Sequence, residues 1–176
     1  MTGVQTCALP ILELLGTFEA VAQIAIALTG FTGVVVALGR REISSWTPIE
    51  KFFLRALLFW SLGTMFLAFV PAGLSGLARN TAWRVAHAAF AIFHATVFVW
   101  YFRQACQLAL PASFLGHLAV ILGLGVFLAE ASVALGFLSH AAPYLYLLAL
   151  LWFLFLAASA FIALVFPQFR GNGAAA

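Results

Sequence analysis

Ionisable side chains are so scarce in this chain that each one inside an apolar run is a candidate for chemistry. There are five carboxylates, all of them Glu, with eight Lys and Arg and four His among 176 residues. Those embedded in apolar runs are Glu19, Arg55, Arg84, His87, His94, His117 and Glu130. Each costs roughly 3 kcal/mol or more at mid-membrane unless it is paired or hydrated. A carboxyl group beside an imidazole can hold and pass a proton, so His87 and Glu130 are the first pair to weigh. Arg84, His87 and His94 follow one another at spacings of three and seven, which puts them on one face of a helix.

The elements that carry these residues follow from composition. The chain is 65% hydrophobic and 7% charged, with a mean hydropathy of +1.13, against roughly 25% charged residues in a soluble domain. Thirteen charged side chains cannot cover a soluble globule, so most of the surface must face lipid. A hydrocarbon core about 30 Å thick takes about 20 helical residues. On that measure the sequence predicts an all-α integral membrane bundle of five helices, at about 17–38, 48–70, 82–103, 113–137 and 143–166. The second begins with the strongest local signal: Thr47 as cap, Pro48 at the first helical position and Glu50 completing a capping box. Pro71, Gly73 and Gly76 are expected to end or kink it. Connections are short, so consecutive helices should be antiparallel neighbours in one domain over 12–170, followed by a flexible tail at 171–176. Small residues on the fourth span, Gly123, Gly125, Ala129 and Gly136 among them, predict a central place for that helix.

Depth can be counted along antiparallel helices. From inner ends at Gln104 and Ser113, His87 and Glu130 are each seventeen residues in, and Glu19 lies nineteen residues before Leu38. Glu19, Arg84, His87 and Glu130 are therefore expected at one level, as an intramembrane polar cluster. In one reading Arg84 neutralises Glu130 or Glu19, His87 completes the hydrogen bonding, and the network fixes helix register. In the other, Glu130 and His87 line a hydrated cavity and relay protons. Arg55 and His117 form a secondary polar level nearer the inner side, where Arg55 can also snorkel to lipid phosphate.

Other chemistries fit less well. His94 and His117 differ in depth by about 9 Å at helical rise, which disfavours haem within one subunit and leaves only a His94 pair across a homodimer. The histidines lack an i, i+4 pair, so no metal site and no cofactor is expected. Gly73-Leu74-Ser75-Gly76 resembles the GxSG element of rhomboid intramembrane proteases over four residues, but it sits past a proline at the end of a span and reads as a turn. An enzymatic role is accordingly the less favoured one.

Two further resemblances concern origin. MTGVQTCALPI, residues 1–11, resembles the in-frame translation of a common sequencing adapter, as metagenomic assemblies carry. Set aside on that ground, the segment takes Cys7 with it, leaves Cys106 as the lone cysteine and implies that the native N-terminus is missing, with any further helix there. The stretch from Gly16 to Arg55, with GFTGVVVALGRR and WTPIE, resembles uncharacterised small bacterial multi-pass membrane proteins and carries over no catalytic residue.

Arg40, Arg41, Lys51, Arg55, Arg103 and Arg170 fall on one side of the spans, Arg79 and Arg84 on the other. This bias predicts a bacterial inner (plasma) membrane protein with the visible N-terminus outside and the C-terminus cytoplasmic. It also accounts for the net charge of +3 without nucleic-acid binding. Trp46, Trp100 and Tyr101 are expected in the inner aromatic belt, and Trp83, Tyr144 and Tyr146 in the outer one. The expected role is an accessory or interaction component whose partners are the bilayer and a second copy or another membrane protein. The alternative is a small proton-coupled transporter or channel using the Glu/His/Arg cluster.

Overall fold

The computed structural model describes residues 9–38, 43–108 and 114–165. Among them five long helices follow one another: α1 (Leu9–Leu38), α2 (Pro48–Gly73), α3 (Arg79–Gln107), α4 (Phe114–Leu135) and α5 (Ala142–Val165). No strand occurs among the described residues. Each helix holds a stretch long and apolar enough to cross a membrane, so the chain is a multi-pass membrane protein with an all-α bundle. Most of the adapter-like segment, the first-loop arginines Arg40 and Arg41, Pro111 to Ser113, and Arg170 with the tail lie outside the described residues.

The start of α2 shows why it begins where it does. The Thr47 hydroxyl accepts from the Glu50 backbone N–H at 3.2 Å, and the Glu50 carboxylate accepts from the Thr47 N–H at 2.7 Å. These bonds satisfy amide groups that no helical carbonyl can reach. At the other end α2 passes through Pro71 and stops at Gly73, one turn beyond the expected end. Ser75 sits in the exposed turn that follows.

Cross-helix contacts fix the direction of packing. Between α3 and α4, Arg84 meets Ala134, His87 meets Glu130 and His94 meets Phe127, so one index falls as the other rises and the pair is antiparallel. Between α1 and α5, Phe18 meets Tyr146 and Phe31 meets Phe161, so these two run parallel. α2 and α5 occupy the middle: α5 touches all four other helices, and its strongest contact is with α2. This corrects the expected central place of α4, which lies at the edge against α3 and α5. The reason is visible in the small residues. On α5, Ala142, Ala149, Ala157 and Ala160 are all buried at heptad-like spacing with Tyr146 and Phe153 between them, whereas on α4 Gly125 faces open space.

Polar residues inside the bundle are spent on helix contacts. The Thr29 hydroxyl of α1 donates to Ser61 of α2 at 2.8 Å, and Ser61 donates to the Leu57 carbonyl at 2.8 Å. Gly63 lets α3 approach α2, because a Cβ there would collide with the Phe93 ring. Tyr146 is wholly buried and therefore belongs to the core, not to the expected aromatic belt. Its phenol donates to the Leu67 carbonyl at 2.7 Å. That carbonyl lies four residues before Pro71, the proline has no N–H to give it, and the phenol replaces the missing donor.

Candidate functional site

Three helices build the polar site. His87 stands on the third turn of α3, Glu130 on the last turns of α4, and Ala142 at the first residue of α5. The His87 Nδ1 and Glu130 Oε2 atoms are 2.7 Å apart, and both side chains are fully buried. The other ring nitrogen, Nε2, lies 3.0 Å from the Ala142 carbonyl oxygen. A carbonyl only accepts, so Nε2 carries a hydrogen. One more proton then lies between Nδ1 and Oε2, on the imidazole as an ion pair or on the carboxyl as a neutral pair. Either way the unit is neutral overall, which is the charge state a bilayer interior tolerates.

The surroundings hold this geometry. Tyr146 packs edge-on to the imidazole with ring centroids 5.2 Å apart, and Trp83 lies on a neighbouring side at 6.2 Å. Glu130 Oε1 is buried and has no hydrogen-bond partner among the described residues.

Arg84 does not join the pair. Its Nε donates to the Ala134 carbonyl at 3.0 Å, where α4 ends. The Phe137 N–H bonds to the Ser132 carbonyl and the Gly136 N–H to the Val133 carbonyl, with Gly136 at φ 97°. This is a Schellman termination with glycine in the left-handed position it favours. Those two bonds leave the Ala134 carbonyl over, and the guanidinium takes it, at the helix end where a cation is favoured. Arg84 and its neighbours Thr81, Val85, Ala88 and Ala134 also line a surface groove of about 290 Å³.

The remaining sequence-selected residues are dispersed. Glu19 is exposed on α1, and among the described residues it has no ion-pair or hydrogen-bond partner. Arg55 and His117 are exposed on α2 and α4. His94 is buried between α3 and α4, boxed by Phe90, Phe127 and Phe153. The structure thus brings His87 and Glu130 together, places Arg84 at the end of α4, and leaves Glu19 exposed on α1. Among the described residues no three His, Cys, Asp or Glu side chains converge as metal ligands.

Two participants are not marked as site residues by the sequence. Tyr146 reads as an interface aromatic, although a proline four residues after the Leu67 carbonyl on α2 signals the need for a donor there. The Ala142 carbonyl has no sequence signal, because any residue type supplies one. No family model, no curated protein and no solved structure matches the chain.

Proposed function

We propose that the protein is an accessory or interaction component of a bacterial inner membrane, with its visible N-terminus outside and its C-terminus in the cytoplasm. It is a rigid five-helix scaffold that presents α1 to another membrane protein or a second copy. The observation that carries this reading is the outward face of α1. Glu19, Gln23, Ile26, Gly30 and Gly33 recur at three- and four-residue spacing and are all exposed. A carboxylate and an amide on the outside of a span are costly toward lipid and favourable toward a neighbouring helix. The two glycines have open space where a Cβ would be, so a partner backbone can approach there closely.

The test is site-directed cross-linking in native membranes, comparing Ile26→Cys on α1 with Phe155→Cys on α5, each with Cys7 and Cys106 replaced by Ser. Discrete adducts from Ile26→Cys alone support the reading. Equal or absent adducts at both positions overturn it.

The buried Glu130 Oε1, which has no partner among the described residues, favours a second reading, a small proton-coupled transporter in which water reaches the His87–Glu130 pair. Proton flux into proteoliposomes, read with a trapped pH dye, separates the two. The scaffold gives flux no greater than empty vesicles. A transporter gives flux that Glu130→Gln abolishes in a correctly folded protein.

A further inference from the structure

A second polar constellation lies further along the α3–α4 seam. Here a cavity of about 150 Å³ is lined by His94, Ala95, Phe98 and Val99 of α3 and by Gly123, Leu124 and Phe127 of α4. His94 is 5% exposed, and among the described residues its Nδ1 has no hydrogen-bond partner. Trp152 Nε1, on α5, is likewise buried without one. It is the other imidazole nitrogen, His94 Nε2, that reaches the same point as the indole N–H. A Cβ added to Gly123 would stand 3.8 Å from His94 Nε2 and 3.7 Å from Trp152 Nε1. Glycine at this position therefore leaves a gap into which an indole N–H and an imidazole nitrogen converge.

Buried polar atoms without partners are rare, and each needs an explanation. The explanation here follows from donor chemistry. The orphaned indole N–H only donates, and His94 Nε2 beside it can donate while Nδ1 keeps its lone pair, so the group that fits between them is an acceptor oxygen. The rest of the wall is apolar and aromatic, and a cavity of this size and lining holds a single benzene-sized ring. Val99 and Leu124, on the rim, are each about half exposed at the bundle surface, which gives entry from the bilayer itself.

We infer that this cavity binds a lipid-soluble ring compound carrying a carbonyl oxygen, of the benzoquinone class. The oxygen sits in the Gly123 gap and accepts from Trp152 Nε1–H and His94 Nε2–H, and the ring lies among Phe98, Phe127 and Val99. The inference concerns binding alone and assigns no electron transfer.

The test uses the full chain in phosphatidylcholine nanodiscs with 2-decyl-1,4-benzoquinone as probe and decylbenzene, which lacks the oxygens, as control. Side-chain ¹⁵N resonances of the histidines report the site. The expected result is saturable binding of one probe per chain that moves the His94 signals and leaves those of His87 in place. Gly123→Ala meets its neighbours at ordinary contact distances of 3.7–3.9 Å, so it keeps the fold while filling the gap. It is expected to weaken binding about tenfold or more, and Trp152→Phe, which removes the donor alone, to weaken it about fivefold. Three results overturn the inference: decylbenzene binding as tightly as the quinone, both variants binding like the parent, or partition without saturation. An immobile His94 resonance overturns it as well, as expected if a bridging water fills the gap.

Discussion

At the scale of single residues, the His87–Glu130 pair divides its possible replacements by what they leave behind. Gln at 130 can donate an amide N–H to Nδ1 as a protonated carboxyl would, so Glu130→Gln is expected to cost less than about 1 kcal/mol. Glu130→Leu leaves Nδ1 buried with nothing to bond and should cost about 1–3 kcal/mol. His87→Leu leaves an uncompensated carboxyl group and should cost most, about 3–5 kcal/mol. Replacing both by Leu removes the buried polar group altogether and should be milder than His87→Leu alone. Unfolding titrations in mixed micelles give the order, and a His87→Leu protein as stable as Glu130→Gln would sink this account. The meeting of these two residues was legible in the sequence, because equal distances from short connections on antiparallel helices place residues at equal depth. The fate of Arg84 and Glu19 was not. Depth counting gives height along the bundle and says nothing of azimuth: Arg84 is drawn to the carbonyl-rich end of α4, and Glu19 points away from the core.

At the scale of elements, the structure turns on how helix ends and interruptions recover lost hydrogen bonds. Pro71 denies the Leu67 carbonyl its intrahelical donor, and Tyr146 of α5 supplies one across the interface. The two residues are therefore coupled, although they lie on different helices. Tyr146→Phe should destabilise the bundle by about 1–2 kcal/mol. In a Pro71→Ala background the restored amide can bond to Leu67, and the same substitution should then cost less than half as much. A double-mutant cycle measures the coupling, and additive effects would refute it. The end of α4 allows a parallel test. Gly136→Ala forces a side chain into φ 97° and should cost about 1–2 kcal/mol, whereas Arg84→Leu removes one exposed cap and should cost about 0.5–1 kcal/mol. Thermal denaturation followed by circular dichroism ranks the two, and Arg84→Leu as the more damaging would point to a role for the guanidinium beyond the helix end. Capping at Thr47 was readable because Thr, Pro and Glu act within four residues of one another. The centrality of α5 was not, because a stripe of small residues marks a surface that can be approached and leaves open which helix approaches it. α4 has such residues facing open space, while those of α5 are covered.

At the scale of the whole molecule, membrane orientation is an electrostatic property of the connections and can be tested independently of any activity. The sequence leads one to expect six Lys and Arg on one side of the spans against two on the other, and such a bias favours retention of the first side in the cytoplasm. The bundle supplies reporters at both ends. Cys106 is exposed on the last turn of α3, at the end that carries Arg103. Ser139 is exposed at the opposite end, in the α4–α5 connection. With Cys7 replaced by Ser, a membrane-impermeant maleimide should label Cys106 in inside-out vesicles and leave it unlabelled in intact spheroplasts. A Cys106→Ser, Ser139→Cys chain should show the reverse pattern. The two reporters must invert together, because an odd number of crossings, α4 alone, separates the segments that carry them. Labelling of Cys106 from outside would reverse the orientation and move the Arg84 groove and the exposed Glu19 to the cytoplasmic half. The α1 face would then have to meet its partner with Glu19 near the cytoplasmic surface, which changes the class of neighbour without altering the fold. Labelling of both positions from one side would instead require α4 not to cross, and that would contradict the five-span bundle itself.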